Sequence, residues 1–306
     1  MLVHMDFEQL RQFRVAARLN HVGRAAEELC VSQPALSQTI KRLERRYGIS
    51  LFDRVGRTVR LNANGQVLLE HVEPALIALE DVDRAMRDLV QSPQQTIALG
   101  YFGGRSAKAI PYLTRQFQRS STPVDFGLFR GSNRQLFARL KEGMLDLCFT
   151  TQTSTDVDVT SHPLWNERLF VYVSKKHHLA SRAVIDLAEI RNEPMLSLRI
   201  GADLRITTDQ LCEAAGFSPR VVFEGQNIVT LHGLIAANIG VALAPELETP
   251  EKGDVVALRV RAPLCVRTIY VSWMPGRYLS KVAQRFRDLV IGSRAKLRSV
   301  GLEPIR

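Results

Sequence analysis

The chain has 306 residues, 45% of them hydrophobic and 24% charged, with a formal net charge of +10. That length accommodates two or three domains of ordinary globular composition, which sets disorder aside. No apolar run reaches the length of a membrane helix, the opening MLVHMDFEQL lacks the basic-then-apolar order of a secretory leader, and Cys30, Cys148, Cys212 and Cys265 are too scattered for a disulfide framework or a zinc site. The expectation is a cytoplasmic protein with reduced, buried thiols, no metal and no cofactor.

Positive charge gathers at the two ends. Residues 1–60 hold 11 Lys/Arg against 6 Asp/Glu and residues 277–306 hold 8 against 2, so the middle is close to neutral. The first block implies a polyanionic partner, nucleic acid foremost. The second reads as the solvated face of a C-terminal helix.

In chain order, Phe7, Leu10, Phe13 and Ala17 form one helical face. Val22, Ala25, Ala26 and Leu29 repeat the same spacing, and Cys30-Val31 make a turn. Ser32 is placed to cap a further helix, where Pro34 is tolerated because the first amides have no intrahelical acceptor. That helix has Leu36, Ile40, Leu43 and Tyr47 on its core arc. The opposite arc carries Pro34, Gln38, Lys41 and Arg45, flanked by Ser37 and Arg42, with Gln33 at the tip. Gln pairs with adenine edges, Arg and Lys reach guanine edges or phosphates, and the small Pro34 and Ser37 permit close approach to a groove. A plain helical hairpin with a wet face is the alternative. It loses ground to the next stretch, where Leu51, Phe52, Val55, Val59 and Leu61 alternate with Arg54, Arg57 and Arg60 around Gly56. Three arginines at one hairpin are costly to crowd unless an anion lies between them. Helix pair and basic wing together read as a winged helix-turn-helix.

Residues 62–91 read as one long helix, capped by Asn62 or Asn64. Leu68, Val72, Ala75, Leu79, Val82, Met86 and Leu89 step alternately by four and three, a heptad seam that wants a partner helix. Leu68, Val72, Leu79, Val82 and Met86 are therefore expected to pair two copies. Pro74, just off the seam, is expected to kink the helix, since an interior proline costs about 3 kcal/mol. The domain expectation is DNA binding over residues 1–62, a linker and dimerisation helix over 63–91 and a further domain over 92–306.

From Thr96 the pattern alternates between strand and helix: TIALG, a helix over 106–119, VDFGLF, a helix over 136–140 and LDLCFT. After a polar stretch at 152–158 it resumes with LFVYV, MLSL, a helix near Leu211, VVF, a helix over 231–236 and GVALA. Such alternation predicts two α/β lobes on parallel sheets, one over about 95–152 with part of 255–306, the other over about 159–255. VVALRV, VRTIYVSW and a last helix from Leu279 return the chain across them. Enzyme chemistry finds little support. Gly100, Gly103 and Gly104 do not have the GxGxxG spacing, and His177-His178 sits in a Lys-rich loop without carboxylates at ligand spacing. No Ser, Cys or Asp comes with an identifiable base.

The stretches AAEELCVSQPALSQTIKRLERRYGISLFDR and VRLNANG, then PYLTRQF, GMLDL, HHLA, LRITTDQLCEAAGFSP and LIAANIGVALAPE, resemble the LysR-type transcriptional regulators in order and spacing over essentially the whole chain. The resemblance implies a non-enzymatic α+β multidomain protein. It would have an N-terminal winged helix-turn-helix, a linker helix that pairs protomers, and a two-lobed α/β effector domain resembling periplasmic binding proteins. Its partners would be double-stranded promoter DNA, a small-molecule effector between the lobes and further copies of itself, in a homodimer or homotetramer. It places Ser32, Gln33, Pro34, Ser37 and Gln38 at the groove and Arg42 and Arg54 on phosphates or in the minor groove, with Lys41 and Arg57 beside them. Asn20-His21-Val22 and Asn62 depart from the Ser and Thr the family often has at those helix starts, though each leaves a capping residue.

By the same resemblance the effector meets Tyr101, Phe102, Ser132, Asn133, Arg199, Ile200, Gln226 and Asn227. Hydroxyls and turn amides there suit a small anion, with Arg199 as countercharge. Tyr101-Phe102 instead favours something flat or apolar. Asp203 stands where peroxide-sensing relatives carry a reactive Cys before Leu-Arg, while Cys212 matches the partner Cys. A disulfide switch is therefore not expected.

Overall fold

The computed structural model describes residues 6–55, 58–89, 95–103, 106–120, 124–246, 253–293 and 303–304. It divides into two compact units, Met1–Gln91 and Ser92–Arg306.

In the first unit α1 (Phe7–Leu19) starts at Asp6, whose carboxylate accepts the Glu8 amide at 3.0 Å. The chain then turns on Asn20 in a left-handed conformation and enters α2 (Val22–Glu28), capped by the His21 ring at 3.2 Å from the Arg24 amide. Cys30 takes φ 53°, which swings the chain into α3 (Gln33–Tyr47), and the Ser32 hydroxyl caps it at 3.3 Å from the Ala35 amide. Leu10, Phe13, Ala17, Val22, Ala25, Ala26, Leu36, Ile40 and Leu43 close the core that their spacing predicts. Tyr47 does not join it. It is the last residue of α3 and 38% exposed, and Phe7, the first residue of α1, also stays out at 51% exposed.

A hairpin follows, β1 (Phe52–Val55) against β2 (Thr58–Leu61), with Phe52 opposite Leu61 and Phe52 edge-on to Phe13 at 5.8 Å. α4 (Ala63–Leu89) is capped by Asn62, whose side-chain oxygen accepts the Gly65 amide at 2.9 Å. Gly65 has no room for a side chain, because a Cβ would lie 2.3 Å from the Leu51 carbonyl. α4 runs through Pro74 without a break. It packs Val72 and Leu76 into the core, and Arg14 of α1 pairs with Glu80 at 2.8 Å.

The second unit has two cores. In the first lobe β3 (Gln95–Tyr101) is central to the parallel set. α5 (Ser106–Ser120) leads to β4 (Val124–Arg130), and α6 (Asn133–Lys141) leads to β5 (Leu147–Thr150), both strands parallel to β3. The chain then enters β6 (Thr160–Ser174), 15 residues long. In the second lobe come β7 (Val184–Ile185), β8 (Met195–Leu198), α7 (Asp203–Ala214), β9 (Val221–Gly225), α8 (Ile228–Ala236), β10 (Ala242–Pro245) and β11 (Val255–Val260). β12 (Val266–Trp273) and α9 (Lys281–Gly292) return to the first lobe, and β13 (Glu303–Pro304) pairs with β6.

β6 joins the lobes. Its residues from Thr160 to Arg168 pair antiparallel with β12, and those from Leu169 to Ser174 with β10 and β11. The sheets are mixed, not simply parallel as the alternation predicts. Only the second half of β6, LFVYV, shows strand periodicity in the sequence. Pro163, Asn166, Glu167 and Arg168 break the alternation in the first half, and a register shift between Ile269 and Tyr270 of β12 falls beside Pro163. β11 also differs from expectation in placement: Leu258 and Val260 belong to the second core, while Leu164 and Trp165 of β6 belong to the first.

Candidate nucleic-acid interface and effector cleft

With Leu36, Ile40 and Leu43 buried, α3 can present only its other side. Ser32, Gln33, Pro34, Gln38, Lys41 and Arg42 are exposed there and Ser37 is half-buried. Among the described residues Lys41 and Arg42 have no anionic partner, so both cations are free to meet phosphate. The wing brings Arg60 beside Asp53 in register. Arg54 lies on β1 opposite Val59, but its side chain, like all of Arg57, falls outside the described residues.

The dimerisation residues divide along the length of α4. Val72 is 5% exposed and Leu68 partly buried, both against the unit's own core, so they have little surface left for a partner. Further along the same face Leu79, Val82 and Met86 are exposed, and with Ala75 they lie within about 60° of arc.

In the second unit the expected effector residues have different fates. Asn133 is fully buried: its side chain donates to Thr151 Oγ1 at 2.7 Å and accepts the Thr151 amide at 3.0 Å. Its own amide, at the start of α6 in the first lobe, donates to Asp203 Oδ2 at the start of α7 in the second lobe, 3.1 Å away. Burial holds the Asp203 carboxyl above its usual range, against the opposing pull of the Asn133 hydrogen bonds and the Arg267 charge. Arg267 of β12 lies over the buried Phe102 ring at 5.2 Å, and its Nε and a terminal nitrogen both meet Glu167 Oε2 of β6 at 2.5 Å. Phe102, Asn133, Asp203, Arg267 and Glu167 thus form one connected group at the junction of the lobes.

The other expected residues stand apart from it. Ser132 is spent on capping α6 together with Gln135, and Asn227 caps α8 through the Thr230 amide at 2.9 Å. Tyr101 ends β3 partly buried, its carbonyl accepting the Gly131 amide at 3.0 Å. Arg199 and Gln226 are exposed and Ile200 is 79% exposed. Among the described residues no hydrogen bond or ion pair joins Arg199, Ile200, Gln226 or Asn227 to the group around Asp203. Sequence reasoning missed Glu167 and Arg267 altogether, because both lie in stretches whose periodicity is broken by charge. A surface cavity of about 410 Å³ beside α6, lined by Arg134, Phe137, Lys141 and residues 152–155, holds none of the expected residues.

The double histidine does gain a carboxylate through folding. His177 and His178 stack at 4.4 Å, and Glu193 lies 3.3 Å from the first and 3.6 Å from the second. Their ligand atoms fall within 4.8 Å of one another. His177 Nδ1, however, accepts the Leu179 amide at 3.3 Å, which leaves the proton of a neutral ring on the nitrogen facing Glu193. In that tautomer the ring ties the loop between Leu179 and Glu193. Cys148, Cys212 and Cys265 are buried, and burial pushes their thiols up, Cys212 to about 12 and Cys265 to about 11.

A recognition helix with its apolar side sealed and its amides and cations outward, set beside a wing, is the reading head of a DNA-binding transcriptional regulator; the two-lobed unit is the effector-binding domain such regulators carry. Two family models match the chain: the bacterial regulatory helix-turn-helix protein of the lysR family over residues 7–66, and the LysR substrate binding domain over residues 91–294. The chain belongs to the LysR family. It is 37% identical over 287 residues to the HTH-type transcriptional regulator YybE of Bacillus subtilis (strain 168), covering 94% of this chain and 98% of that one. Among solved structures, it is similar to the effector binding domain of QuiR in complex with shikimate (23% identity, TM-score 0.62, 66% of this chain and 98% of that one). It is also similar to full-length CbnR complexed with its target DNA (20% identity, TM-score 0.58, 95% of this chain and 100% of that one).

Proposed function

We propose that the protein binds promoter DNA as a dimer or dimer of dimers in the cytoplasm, acts by binding alone, and answers to a small molecule held between the lobes of its second unit. The carrying observation is the exposed face of α3. Gln33, Ser37 and Gln38 read base edges in this scheme, and Ser32, Pro34, Lys41, Arg42 and the wing arginines Arg54 and Arg57 hold the backbone. The stripe Leu79, Val82 and Met86 brings two copies together, so each α3 reads one half-site and the target has imperfect two-fold symmetry. The two-lobed fold shared with an effector domain solved with shikimate supports a small-molecule site near Phe102 and Asn133. Tyr101, Ser132, Arg199, Ile200, Gln226 and Asn227 remain its candidate rim.

The test is a gel-shift titration on the region upstream of the gene. Gln33→Ala with Gln38→Ala should narrow the gap between specific and random DNA by about 1–3 kcal/mol for each base edge no longer read. Arg42→Ala should weaken both alike and flatten the log K against log salt slope by about 0.9 for each phosphate no longer neutralised. Unchanged affinity and slope in both variants would place the interface elsewhere.

A further inference from the structure

Among the described residues the charges at the junction of the lobes do not balance. Asp203 reaches from α7 in one lobe to the Asn133 amide of α6 in the other, 3.1 Å away, so one hydrogen bond spans the opening. Among the described residues the cation that acts on Asp203 is Arg267. Arg267 is already committed, since two of its nitrogens converge on Glu167 Oε2 and its side chain is 6% exposed. Glu167 is fully buried, and its second oxygen, Oε1, has no hydrogen-bond partner. Among the described residues two carboxylates therefore share one guanidinium. Arg199, the countercharge expected from the sequence, is exposed and is not among the charges that act on Asp203.

We propose that Asp203 sets the effector's charge: it pairs with an ammonium, guanidinium or other N–H donor, and the junction turns away a carboxylate. The proposal rests on reading the space between the lobes as the effector site. A donor brought to Asp203 gains a charge-assisted hydrogen bond at a carboxylate that burial has left short of compensation. A ligand carboxylate would instead meet a like charge, and the first-turn amide of α6 that would otherwise receive it is already taken by Asp203.

The test uses a matched pair of four-carbon probes, 1,4-diaminobutane and succinate, with hydrogen exchange of residues 131–137 followed by mass spectrometry on the full chain. Asp203→Asn keeps an acceptor for the Asn133 amide and removes the charge; Asp203→Ser is the second uncharged variant. In the parent protein diaminobutane at ten times its Kd should slow exchange of the segment by about tenfold, the factor that mass action gives. Succinate should leave it unchanged, and both variants should lose the diamine response. Slowing by succinate, a diamine response that survives in the variants, or no response to the diamine would overturn the proposal. If the diamine acts through Asp203 yet promoter affinity does not move, the recognition stands and the effector reading of the junction falls.

Discussion

Glu167 of β6 and Arg267 of β12 face each other in register and meet at 2.5 Å just where β6 passes from one lobe to the other. Their side chains are 0% and 6% exposed, so water cannot replace either partner. Arg267→Met should cost about 3–5 kcal/mol, because it strands a buried carboxylate, while the double replacement Glu167→Met with Arg267→Met should recover most of that loss. Both tryptophans, Trp165 and Trp273, belong to the second unit, so urea unfolding followed by their fluorescence reads this unit alone. Equal losses in the single and double variants would show that the pair contributes more than charge compensation.

Asp203 gives a pH signature of opposite sign to the usual paired carboxylate. Its folded value is raised, chiefly by burial, so the folded state binds this proton more tightly than the unfolded state. The resulting penalty is present at neutral pH and fades as pH falls through the raised value toward about 3.9, the ordinary carboxylate value. Asp203→Asn should therefore raise Tm at pH 7, with the difference from the parent closing at low pH. A variant less stable than the parent at pH 7 would mean that the Arg267 attraction outweighs burial.

The two faces of α4 should respond differently to substitution. Val82→Asp, on the exposed stripe, should lower the mass seen by light scattering to that of a smaller assembly while leaving the first unit folded. Leu76→Ala, at 2% exposure in the unit's own core, should cost about 2–5 kcal/mol and leave the assembly state alone. An unchanged mass for Val82→Asp would remove the stripe from the interface.

Thiol reactivity should separate Cys30 from the rest. Cys30 is exposed on the turn before α3, whereas Cys148, Cys212 and Cys265 are buried with raised values and little thiolate. Under native conditions a disulfide reagent should modify one thiol per chain rapidly and the other three only on unfolding. Peroxide should form no bond between Cys212 and another cysteine of the same chain. Rapid native modification of Cys212 would contradict its burial.

What the sequence determined by itself was local. Helix periodicity located α1 to α3, and Ser32 marked where α3 begins, because a cap and its helix lie within three residues of each other; for α4 the sequence left Asn62 and Asn64 open, and the fold chose Asn62. The outward side of α3 was legible for the same reason: once Leu36, Ile40 and Leu43 are buried, the helix leaves Gln33, Gln38, Lys41 and Arg42 no other place. The heptad seam on α4 was legible too, but its division was not. Val72 and Val82 lie on one sequence stripe, and only the proximity of α1 covers the first and leaves the second bare.

Tertiary structure alone decided the junction of the lobes. Asn133 meets Asp203 across 70 residues and Glu167 meets Arg267 across 100, through a strand whose broken alternation hid it. Charge in the middle of a strand reads as a surface in one dimension. Here β6 carries it between two cores, where Glu167 must find its partner on β12.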